Sequence, residues 1–181
     1  MEPESELSPN NKIKILLMKR IYVLSIVATL IFISACQKKP EVGGTATQKM
    51  ANEWWVQLFD PSGALAVPAG YHGRIATYNS STNTGNELWV DDQAEIWDFK
   101  VKATADPNNL TFSANQAVSV IDNYHIKVTI TDGKIIENGG LSKTGVITDS
   151  IYMKIQFEDD PGTTYVLKGH GRTRFAEDDY H

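Results

Sequence analysis

The chain has 181 residues, 41% of them apolar and 22% charged, and carries a net charge of −5 at neutral pH. That composition describes one globular domain and excludes the disordered and fibrous classes. An acidic balance without a basic tract also argues against nucleic acid as a partner.

The N-terminal region is an address rather than a fold. Lys19 and Arg20 form a basic patch ahead of the uncharged apolar run that begins at Ile21, the order found in export signals. From Ile21 to Ala35 the run is 15 residues long, short of the ~20 a spanning helix needs. It ends in Ile33-Ser34-Ala35-Cys36, which resembles the lipobox of bacterial lipoproteins: an aliphatic residue, two small residues, then cysteine. The resemblance implies cleavage before Cys36 and diacylation of its thiol. Two acyl chains are enough for stable anchoring where one is not. Gln37, in place of an aspartate, points to the outer membrane and leaves the leaflet open. Met18 would itself begin a well-formed signal. Removal of residues 1–35 takes away Lys12, Lys14, Lys19 and Arg20 against Glu2, Glu4 and Glu6, so the mature net charge is −6.

Residues 36–51 are polar and Gly-rich at first and read as an acylated, flexible tether. From Asn52 to His181 short β-rich runs alternate with turn residues, and the class is all-β. The expected strands are Glu53–Asp60, Gly73–Asn79, Glu87–Val90, Glu95–Thr104, Leu110–Ser113, Ala117–Ile121, His125–Thr131, Lys134–Glu137, Ile147–Glu158 and Thr163–Phe175. Alternation is clean in Trp97, Phe99 and Val101, in Ile126, Val128 and Ile130, and in Ile151, Met153, Ile155 and Phe157, so one face is buried and one is wet. Asp132-Gly133 supplies the positive φ angles of a two-residue turn and predicts a hairpin there. Eight to ten such strands joined by tight turns predict an antiparallel up-and-down barrel of about eight strands, closed because closure removes exposed edges.

Several segments, among them Asn52-Glu53-Trp54-Trp55-Val56, Leu88-Trp89-Val90-Asp91-Asp92, Asp149-Ser150-Ile151-Tyr152 and the tail Gly171-Arg172-Thr173-Arg174-Phe175-Ala176-Glu177-Asp178-Asp179, follow a known pattern. From about Asn52 to Tyr180 the chain resembles the small Bacteroides-type lipoproteins catalogued as lipid-binding putative hydrolases. The resemblance implies a lipocalin-like, calycin-type barrel, an envelope address and a lipid-like ligand.

The residues themselves point to binding rather than catalysis. There is no G-x-S-x-G elbow, and the only thiol is assigned to acylation. The pairs Asp91-Asp92, Asp159-Asp160 and Asp178-Asp179 adjoin turns, where carboxylates are solvated. His72, His125, His170 and His181 lack metal-ligand spacing, so neither metal nor cofactor is expected. The candidate ligand-binding residues are Trp54, Trp97, Phe99, Val128, Met153 and Ile155, placed on an inward stripe that either lines a cavity or packs a solid core. His170 and Arg172, with Arg174, share one face of the last strand and form a candidate anionic-headgroup site at the barrel mouth. The first strand is apolar on both faces: Trp54, Val56 and Leu58 on one, Trp55 and Phe59 on the other, with either parity allowed. Three readings follow: a membrane-tethered carrier of a small amphipathic ligand, a glycan-capture lipoprotein using exposed aromatics such as Trp55, Trp89 or Phe59, or a hydrolase of lipid or ester substrates.

Overall fold

A computed structural model describes residues 9–33 and 43–180. Two compact units divide at Gly43 and Gly44. The first carries helix α1, Pro9–Ile33. No helix among the described residues is long and apolar enough to cross a membrane. Cys36 and the end of the lipobox lie outside the described residues.

The second unit is an eight-stranded antiparallel barrel: β1 Asn52–Phe59, β2 Gly73–Asn79, β3 Glu87–Asp91, β4 Lys100–Asp106, β5 Thr111–Val118, β6 Lys127–Leu141, β7 Ile147–Phe157 and β8 Tyr165–Gly171. Each strand pairs with its sequence neighbours, and β8 closes on β1 from Trp54↔Gly171 to Phe59↔Val166. Closure leaves no strand edge unpaired, which suits a chain this rich in β-branched and aromatic residues.

Ten expected strands are thus eight. Asp132-Gly133 is not a hairpin turn. β6 runs through it as a bulge: between Thr131 and Lys134 it holds one residue more than β7 does between Lys154 and Tyr152. Asp132 takes φ 53°, so the dipeptide bends a strand instead of reversing it. A second bulge, with Gln116 at φ 50°, joins the two runs expected on either side of it into β5. The run Glu95–Thr104 yields a strand only from Lys100, because residues 92–99 form a loop in which Gln93, Ala94 and Asp98 all have positive φ. The fold also begins before Asn52. A 3-10 turn, Gln48–Met50, places Thr47 and Met50 in buried positions at the end of the barrel where β1 starts.

Candidate functional site

Most of the inward stripe assembles, and the first strand takes the parity that turns Trp54, Val56 and Leu58 inward. Trp54, Phe99, Val128, Met153 and Ile155 meet inside the barrel in one cluster with Val56, Leu58, Ile130 and Leu167. Trp54 is 1% exposed and the other four are 0% exposed. A cavity holding even water would give its lining surface accessible to water, and these side chains have essentially none. The interior is a packed core. Trp54 Nε1 donates to Thr77 Oγ1 at 2.8 Å, which satisfies the one polar atom this ring brings inside.

Trp97 departs from expectation. It lies in the loop at the far end of the barrel, because Asp98 turns the chain at φ 57° and breaks the alternation that would have aligned it with Phe99. Its ring stacks on Phe157 at 4.2 Å and 4°, and Nε1 donates to Asp159 Oδ1 at 3.1 Å, so it caps the core. Beneath this loop lies Asp92, fully buried rather than solvated. Its Oδ2 accepts from the backbone N–H groups of Ile96, Trp97 and Asp98 at 3.1, 2.8 and 2.7 Å. Burial pushes its pKa up to about 6 in spite of those donors. Cut off from solvent, this carboxylate anchors a loop and is not placed to meet a substrate. Among the described residues no three His, Cys, Asp or Glu side chains are grouped to hold a metal ion.

His170 and Arg172 do not form an open anion site. β8 ends at Gly171, and Arg172 is engaged on both sides: Nε reaches Asp179 Oδ1 at 2.7 Å and Nη1 reaches Glu53 Oε2 at 2.9 Å. Those two carboxylates hold the guanidinium well above its ordinary pKa and supply the countercharge that a ligand would have supplied. The C-terminal tail then folds over the outside of β1 and β8. Tyr180 stacks on His72 at 3.7 Å, meets Trp55 edge-on at 5.4 Å and lies 3.3 Å from His170 Nε2 through its hydroxyl. Trp55 is therefore buried although it points outward. Asp178 is buried as well; burial works against its charge, but hydrogen bonds from Thr173 and Thr144 hold its pKa well below the usual carboxylate range.

An open surface lies on the outer face of β6, β7, β8 and β1. Strand register sets it out in rows. Lys134 lies opposite Tyr152, Tyr152 opposite Lys168, and Lys168 opposite Gln57. One row towards the tail end come Ile136, Ser150, His170 and Trp55, and one row towards the loop end come Lys154, Val166 and Phe59. Two adjoining grooves follow these rows, of about 430 and 460 Å³, and they share Phe59, Tyr152 and Lys168. The first runs on over Gly139 and Gly140 to Leu141. A third depression of about 510 Å³, at the Gly133 bulge, also reaches Tyr152. The Lys168 ammonium sits 4.3 Å from the Phe59 ring centre and Lys134 sits 5.1 Å from that of Tyr152. Lys154 is paired with Asp132 at 2.8 Å, whereas Lys168 has no ion pair among the described residues. Each groove is of the size that takes a drug-sized or single-chain ligand.

A family described as lipid-binding putative hydrolase matches residues 39–176. The chain belongs to that family. No curated protein matches it. The family match spans the barrel from the segment ahead of the 3-10 turn to the tail, so both the packed interior and the outer grooves are features of this lipid-binding family member.

Proposed function

We propose that the protein is an acylated envelope lipoprotein, anchored through Cys36 in the outer membrane, that binds one amphipathic lipid without transforming it. The ligand lies in the Tyr152-centred groove on the outside of the barrel. The observation that carries this reading is the contrast between the two faces of β7. Inward Ile151, Met153 and Ile155 are sealed in the core, while outward Tyr152 is shared by every groove on that side. Apolar Ile136, Leu141 and Phe59 suit an acyl chain, at ~0.8 kcal/mol per buried methylene. Lys168 suits a carboxylate or phosphate headgroup, since its charge has no carboxylate partner to displace.

The glycan reading is less favoured. Trp55 is under Tyr180, and the half-exposed rings of Trp89 and Phe59 have lysine ammonium groups over them, at 5.4 Å for Lys102 and 4.3 Å for Lys168. A hydrolase would need an accessible activated group, and Asp92, whose pKa burial raises, is sealed. Titration with a fluorescent single-chain fatty acid tests the proposal. Lys168→Ala removes a charge-assisted contact and should weaken binding by roughly tenfold. Ile136→Asp should weaken it further. Unchanged affinity in both variants would place the ligand elsewhere.

A further inference from the structure

The alternating strands put the turn between β6 and β7, residues 142–146, at the same end of the barrel as the start of β1 and the tail. That end is where apolar side chains are most exposed. Leu141 and Ile147 face each other across the turn at 63% and 65% exposure. The tail brings Phe175, 57% exposed, to the same end: Thr144 N, in that turn, donates to Asp178 Oδ1 at 2.8 Å, and Asp178 N donates to Phe175 O at 3.0 Å. The charges at this end carry a small acidic excess, with Lys49, Lys143, Arg172 and Arg174 against Glu53, Glu137, Asp149, Glu177, Asp178 and Asp179, and Lys49 lies 3.9 Å from Glu137.

The chain enters the barrel at this end too. Ala46 N donates to Asn83 Oδ1 in the loop between β2 and β3, and Thr47 is buried there. From Cys36 to Gly44 is eight residue steps, a reach of at most ~29 Å even fully extended.

We propose that this end of the barrel docks on the bilayer that holds the protein, with Ile147, Leu141 and Phe175 entering its interfacial region. The docking rests on the anchored, lipid-binding reading above and extends it. Leu141 also ends the groove that leads over Gly140 to Tyr152, so a lipid passes from the leaflet into the groove without crossing open water. Because this end has no excess of cations to draw anionic lipid, apolar insertion rather than lipid charge drives the contact.

The test uses the full-length protein as purified from membranes, reconstituted in phosphatidylcholine vesicles containing a phosphatidylcholine with a carbene-generating acyl chain. Insertions are mapped by peptide mass spectrometry. Val120, exposed and apolar at the opposite end, is the internal control. We expect labelling at Ile147 and Phe175 several-fold above that at Val120, insensitive to salt, and reduced to the Val120 level in Ile147→Ser/Phe175→Ser, whose exposed positions leave the fold intact. Equal labelling at the two ends, or none at either, overturns the docking. Labelling at Tyr152 and Lys168 reports the groove separately, and the intact mass reports acylation, so failure of either underlying reading is distinguished from failure of the docking.

Discussion

Asp92 is a single carboxylate that holds a whole loop in place. Three backbone N–H groups end on its Oδ2, Oδ1 has no partner, and burial raises its pKa from 3.8 to about 6. A folded-state pKa raised above the unfolded one makes the native state bind the extra proton. Its contribution to stability is fully present below pH 3.8 and is withdrawn as pH rises through about 6. Asp92→Asn keeps an oxygen acceptor without the charge. The stability difference between this variant and the parent should therefore move in the variant's favour by roughly 2 kcal/mol between pH 4 and pH 7, read from denaturant midpoints. A pH-independent difference would mean that the carboxylate is not desolvated. Trp54 and Trp97 separate in the same experiment. Trp54→Ala empties a sealed core position and should cost about 4 kcal/mol. Trp97→Ala removes a half-exposed stack on Phe157 and should cost about 2 kcal/mol. The inward placement of Phe99, Val128, Met153 and Ile155 was legible from period-two alternation, whereas that of Trp54 was one of two allowed parities, because its strand is apolar on both faces. The position of Trp97 was not legible, because a positive φ at Asp98 leaves no trace in an apolar pattern.

At the scale of elements, the seam between β8 and β1 and the bulge of β6 set the barrel's shape. Gly169 lies opposite Val56, and a Cβ there would stand 1.9 Å from the Trp55 carbonyl oxygen. Backbone cannot yield as a side chain end would, so Gly169→Ala should destabilise by about 3 kcal/mol, measured by thermal or urea unfolding. The Asp132-Gly133 bulge shows why ten expected strands became eight. A dipeptide that supplies positive φ serves a hairpin and a bulge equally, and only the pairing of both flanks with β5 and β7 decides between them. The tail is a further element that alternation does not reveal. Its docking depends on Asp178, whose depressed pKa contributes stability above pH 3.8 that is lost as pH falls through the lower folded value. Tryptophan emission should therefore stay blue while pH falls to 4 and shift red only in stronger acid, as Tyr180 leaves Trp55. A red shift already at pH 5 would contradict that role for Asp178.

For the whole molecule, the same alternation that fills the barrel decides where a ligand goes. An eight-stranded barrel is just wide enough to be filled by its own side chains or to hold one small ligand, and the bulk of Trp54, Phe99, Met153 and Phe157 fills this one. Alternation in the seventh strand sets Tyr152 opposite in face to Ile151 and Met153, but the first strand, apolar on both faces, leaves the side of Phe59 open, and nothing local puts either ring beside Lys168. Their neighbourhood comes from register across β7, β8 and β1, which no local pattern encodes. The central claim is that an amphipathic lipid binds outside a solid barrel. Titration of the methyl-labelled protein with a single-chain fatty acid, followed by NMR, tests it most directly. The account predicts shifts at Ile136 and Leu141, with the methyl groups of Val128, Met153 and Ile155 unmoved. Shifts centred on Val128, Met153 and Ile155, with Ile136 and Leu141 silent, would place the lipid inside the barrel and contradict it.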